Sequence, residues 1–112
     1  SVDAAKLMRV LINLLTNSVE AMPNGGDIRI HSEIAHKDEG AILKISVADT
    51  GYGIEEKILD RVQEPFFTTK RHGTGLGLAI CRKIIDAHGG TLTIKSKVGE
   101  GTTVEIEIPI KD

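Results

Sequence analysis

The sequence predicts an α+β fold of two layers, with helices covering one face of a sheet. Three observations carry that prediction. Residues 3–22 bear apolar side chains at helical spacing. Residues 27–48 and 91–110 each hold two alternating runs joined by a short turn, the pattern of an antiparallel hairpin with one buried face. A second apolar helical stretch, 76–88, follows three glycines at two-residue spacing.

Taken in order, Asp3 suits the N-cap of the first helix. Leu7, Val10, Leu11, Leu14, Leu15, Ser18, Val19 and Met22 then follow the 3.6-residue period as one buried stripe. Asn13 and Asn17 are four residues apart and share a face bordering that stripe. Asn is a mediocre helix former. Two of them there read either as hydrogen-bonded buried amides or as amide oxygens aimed at a ligand or hydrated cation. Pro23-Asn24-Gly25-Gly26 ends the helix. The first hairpin pairs 27–36, with Ile28, Ile30 and Ile34, against 41–48, with Leu43, Ile45 and Val47.

Asp49-Thr50-Gly51-Tyr52-Gly53 follows at once. It reads either as an ordinary strand-to-helix turn with a capping Asp, or as a carboxylate that accepts from the exocyclic amine of a purine while the glycines admit the base. Residues 55–62 suit a short third helix with acidic residues in its first turn. Residues 63–72 show no periodicity; they hold both Phe residues, Phe66 and Phe67, and the basic run Lys70-Arg71-His72. Such a run is either a solvated surface or a basic cover over a polyphosphate, for which Lys70 is the better placed.

Gly73-Thr74-Gly75-Leu76-Gly77-Leu78 opens the last helix. Glycines admit close approach, and the first turn of a helix offers unpaired N–H groups at the positive end of its dipole, which suits phosphate. Leu78, Ala79, Ile80, Ile84, Ile85 and Ala87 form its apolar face, and His88-Gly89-Gly90 its C-cap. The second hairpin runs 91–97 and 102–110, turning at Val98-Gly99-Glu100-Gly101, with Pro109 as its stop.

Composition narrows the function. A chain of 112 residues, 40% hydrophobic and 27% charged, fits one soluble domain, 1–112. A net charge of -2 implies no broad basic surface for nucleic acid or anionic lipid, and 3% aromatics leave no base-stacking platform. The single cysteine, Cys81, excludes an internal disulfide and a thiolate metal cluster, and the expected setting is reduced and cytoplasmic. No apolar run approaches the roughly 20 residues of a membrane span. The start without Met reads as a piece of a longer protein, either soluble or membrane-anchored.

In order the chain reads Asn13-x-x-x-Asn17, Asp49-x-Gly51-x-Gly53, Pro65-Phe66-Phe67, Gly73-x-Gly75-x-Gly77 and Gly99-x-Gly101-Thr102-Thr103. This resembles the N box, first glycine box, F box, second glycine box and final glycine-threonine motif of the GHKL ATPase superfamily, and it spans about the whole chain. Residues 13–22, 64–70 and 88–92 make the likeness strongest to the catalytic ATP-binding domain of two-component sensor histidine kinases. The resemblance implies the Bergerat fold, a mixed, largely antiparallel sheet covered on one face by about three helices. It also implies ATP and Mg²⁺ as ligands. By that likeness Asn17 holds Mg²⁺, with Asn13 near the phosphates or completing the shell. Asp49 receives the adenine amino group, with Gly51 and Gly53 beside the base. Thr103 supports Asp49. Gly73, Thr74, Gly75, Leu76 and Gly77 face the phosphates, and Lys70 adds charge.

Hydrolysing relatives carry a water-activating Glu four residues before the metal-binding Asn; here that position is Asn13, and an amide is not a base. The resemblance therefore implies transfer rather than hydrolysis, with no catalytic acid or base in this chain. The acceptor is expected on a histidine of a separate dimerisation domain, with a response regulator downstream. None of His31, His36, His72 and His88 has the helical acidic neighbours of a phosphoacceptor. This piece is expected to be a monomer and its parent a homodimer. By the resemblance, the strand usually found before the N box is expected to be truncated here, which puts one sheet edge in question. A serine kinase related to anti-sigma-factor kinases and a nucleotide-sensing domain without transfer are the alternatives.

Overall fold

The computed structural model describes residues 3–37, 40–53 and 77–110. The elements are α1 (Ala4–Glu20), β1 (Ile28–Lys37), β2 (Gly40–Asp49), α2 (Gly77–Ala87), β3 (Thr91–Lys97) and β4 (Gly101–Ile110). The two hairpins join through β2 and β4, so the sheet order is β1-β2-β4-β3 and every pairing among the described residues is antiparallel. The helices pack on each other, α1 over β2 and α2 over β3. The predicted third helix at 55–62, together with Phe66 and Phe67, lies outside the described residues.

The core is aliphatic. Val10, Leu14, Ile45, Val47, Ile85, Leu92, Val104, Ile106 and Ile108 are buried between the layers. The opposite sheet face is solvated and carries exposed pairs such as Lys95–Glu105 at 3.0 Å, which contribute little.

Cys81 completes the core at 0% exposure. It behaves as a small hydrophobe, a role that a reading for apolar periodicity passed over. Its thiol lies 3.8 Å from the Val10 carbonyl oxygen. Burial pushes the thiol up from 9.0 to about 11, opposed in part by hydrogen bonding from Asn13 and by the Arg9 charge. In the native chain Cys81 should react with a disulfide reagent at pH 8 at least about a hundredfold more slowly than in urea. An unfolded thiol ionises near 9.0 and the native one near 11. Between those values the unfolded chain binds fewer protons, so this group's stabilisation is full below pH 9 and declines as pH rises toward 11. Urea midpoints across that range, compared with those of Cys81→Ala, read the slope.

Two expectations about burial and strand ends are corrected. Val19 is not in the buried stripe; it is 60% exposed, as are Met8 at 56% and Ile12 at 55%. The apolar arc of α1 covers more than half the helix circumference, wider than the one face that the sheet and α2 can bury. Likewise Pro109 does not stop β4, because the strand runs to Ile110 with Pro109 opposite Ile42. β3 begins opposite Glu107, so among the described residues Pro109 has β2 alone beside it, an edge position of the kind that tolerates a residue without an N–H. Among the described residues neither helix extends over β1, whose Ile30 and Ile34 are more than half exposed.

Gly101 illustrates how tightly β4 meets the end of β2. Its φ is +124°, and a Cβ there would run into the Asp49 carbonyl oxygen. Gly101→Ala is expected to cost about 2–4 kcal/mol, seen as a lowered urea midpoint.

Candidate nucleotide site

The site is built where the C-terminal end of β2, the glycine end of β4 and the last turns of α1 meet. Asp49 is the last residue of β2 and is half-buried. Its Oδ1 accepts from the backbone N–H of Gly51 at 2.9 Å and of Thr102 at 3.2 Å. Two donors on one oxygen hold the carboxylate in one orientation. The other oxygen has no partner among the described residues.

Register decides which threonine stands beside this carboxylate. Asp49 pairs with Thr102, whereas Thr103 pairs with Ala48. Side chains alternate along a strand. Thr102 therefore shares a face with the buried Val104, Ile106 and Ile108, and Thr103 lies on the opposite face. Thr102 is the residue that sequence reasoning missed. The parity of the core positions was the signal that could have found it. Its hydroxyl meets that of Ser96 at 2.7 Å, and Ser96 Oγ donates to the Gly101 carbonyl at 3.0 Å. Asp49, Thr102 and Ser96 thus form a row across β2, β4 and β3.

The loop after Asp49 is clamped on both sides. The Tyr52 N–H donates to the Ala21 carbonyl at 3.2 Å, just past α1, and the Tyr52 carbonyl accepts from Gly99 at 2.9 Å. Gly51 lies against Ala21 so closely that a Cβ would come within 2.6 Å of its oxygen, and Gly53 lies against the Lys97 carbonyl. Both glycines therefore meet protein backbone.

Asn13 and Asn17 are half-buried on α1. Asn17 is one turn before Ala21, to which its own carbonyl is bonded at 3.0 Å, so it sits one turn from the docked Asp49 loop. α1 and α2 run antiparallel: Asp3 touches His88, and Val10 touches Cys81. That register carries Asn13 level with Leu78, in the first turn of α2, where helical N–H groups lack intrahelical partners. The structure therefore gathers Asn13, Asn17, Asp49 and the Gly77 end of α2 at one end of the molecule. Lys70, Gly73, Thr74, Gly75 and Leu76 lie outside the described residues. No group of three His, Cys, Asp or Glu side chains is placed to hold a metal among the described residues. Asn13 and Asn17 contribute hard amide oxygens, which suit a largely hydrated Mg²⁺ and not a softer metal.

A family model described as histidine kinase-, DNA gyrase B- and HSP90-like ATPase matches residues 2–112. The chain belongs to this family. It is 42% identical over 106 residues to sporulation kinase E of Bacillus subtilis (strain 168), matching 95% of this chain and 14% of that protein. It superposes on the catalytic domain of histidine kinase ThkA with a TM-score of 0.82 at 41% identity, covering 99% of this chain and 71% of that one. Full-length ShkA, solved in complex with AMPPNP, gives 0.81 at 30% identity over 96% of this chain and 22% of that one. The chain thus corresponds to the catalytic ATP-binding domain of histidine kinases, with the α+β fold expected of it. It spans about a seventh of the length of sporulation kinase E. No helix among the described residues is long and apolar enough to cross a membrane.

Proposed function

We propose that this chain binds Mg·ATP and donates the γ-phosphoryl group to a histidine on a separate dimerisation domain of its parent kinase, with a response regulator as the next acceptor. The observation that carries the reading is the Asp49 carboxylate. One oxygen is locked by two backbone donors, and the other, without a partner among the described residues, would accept from an adenine amino group. The AMPPNP bound by ShkA supports the same ligand class.

Asp49 fixes the base, with Thr102 holding the carboxylate's orientation from β4. Asn17 would hold Mg²⁺ through its amide oxygen, with Asn13 beside it and the glycine stretch Gly73 to Gly77 facing the phosphates. Lys70 adds positive charge. Bound Mg²⁺ would neutralise the charge that develops on the transferred group. The chain's own contribution is positioning. It supplies no base for water, because Asn13 stands where a Glu would activate one. Incubation with labelled ATP and a separately supplied dimerisation domain tests the reading. Label on that domain that survives base and is lost in acid supports histidine transfer; acid-stable label, or none while ATP still binds, overturns it.

A further inference from the structure

The N-terminus of α1 is capped by two residues, one of them from the other helix. The Asp3 side chain accepts from the Lys6 N–H at 3.2 Å. In a capping box the residue at this third helical position returns the bond, accepting from the N-cap N–H. Lys6 has no acceptor with which to do so. His88 supplies it: its Nε2 accepts from the Asp3 N–H at 3.1 Å. Its Nδ1 lies 2.8 Å from the Ile84 carbonyl, which can only accept. The two partners together require the neutral Nδ1–H tautomer.

His88 is itself held rigidly. Gly89 donates to Asp86 at 3.0 Å and Gly90 to Ile85 at 2.9 Å, the paired bonds of a Schellman cap. Gly90 packs against the Glu107 backbone of β4. The connection therefore runs from the sheet through the end of α2 to the start of α1.

We propose that His88 is a positioning residue that sets the axial register of α1 against α2. With Asp3 held at His88 and Val10 at Cys81, Asn13 is brought level with the first turn of α2. The phosphate and metal end of the site depends on that register. The base end depends on it less, because Thr102 of β4 also holds the Asp49 carboxylate. The inference rests on the Mg·ATP reading of this site.

NMR titration of the 112-residue chain with Mg·ATP and, separately, with adenosine tests it, in wild type, His88→Ala and His88→Gln. The Gln amide keeps one donor and one acceptor. His88→Ala should weaken Mg·ATP about five- to tenfold and leave adenosine within about twofold. His88→Gln should recover most of the loss. Unchanged Mg·ATP affinity, or equal weakening of both ligands, overturns the proposal. In ligand-free spectra His88→Ala should also shift the Asn13 and Leu78 amide resonances. Unmoved resonances overturn the clamp whatever the ligand does. A wild-type chain that binds no Mg·ATP overturns the site reading by itself.

Discussion

Asp49→Asn is expected to weaken Mg·ATP binding on the order of a hundredfold while the fold persists. The reasoning starts from the two N–H groups of Gly51 and Thr102, which point at Oδ1 at 2.9 and 3.2 Å. An Asn here must turn its carbonyl oxygen onto those donors, since the reverse rotamer would set its NH₂ against them. The strand end keeps its bonds, so stability changes little. The NH₂ then occupies the position of Oδ2 and faces the adenine amino group, donor against donor. Removing a charge-assisted bond and leaving a group unpaired costs about 3 kcal/mol together. A purine with an oxygen at that position would accept from the new NH₂, so the loss for GTP should be smaller than for ATP. Calorimetric titration of both nucleotides reads the difference. Equal affinity of wild type and variant for ATP would remove Asp49 from the base site.

Asn17→Ala is expected to reduce phosphoryl transfer by a factor on the order of a thousand, with little effect on folding. Ala is the better helix former, and the Asn17 side chain has no partner among the described residues, so the helix loses nothing when it is truncated. What disappears is the Asn17 amide oxygen, one turn from the docked Asp49 loop. Asn13 does not replace it, because it lies a further helical turn from the docked Asp49 loop. Transfer of label to a separate dimerisation domain, at matched nucleotide saturation and with a thermal melt of the variant as control, measures the effect. Normal transfer in Mg²⁺ would sink the metal assignment.

The cost of Gly101→Ala and the effect of His88→Ala on Mg·ATP probe the supports of the same site. One support is a strand whose glycine lets the Asp49 carbonyl approach. The other is a helix end that sets how far α1 slides along α2. Neither residue need touch nucleotide to matter.

Periodicity determined the elements. Alternation at 27–48 and 91–110 has a single reading as two hairpins, and the two apolar helical runs have only the sheet to cover, because a period of two or 3.6 leaves one geometry that buries the apolar side. Motif order pointed to the family, and Asp49, Asn13 and Asn17 were legible as residue types out of place in a strand end and a helix flank. Tertiary structure alone decided the rest, since these choices depend on pairings between residues far apart in the chain. The β2–β4 register put Thr102 rather than Thr103 beside Asp49. The start of β3 opposite Glu107 left room for Pro109. The limited reach of the sheet left Val19, Met8 and Ile12 exposed, though their spacing equals that of buried neighbours. The bond from Asp3 to His88 spans 85 positions. No local pattern marks such a contact, because it exists only once the helices lie side by side.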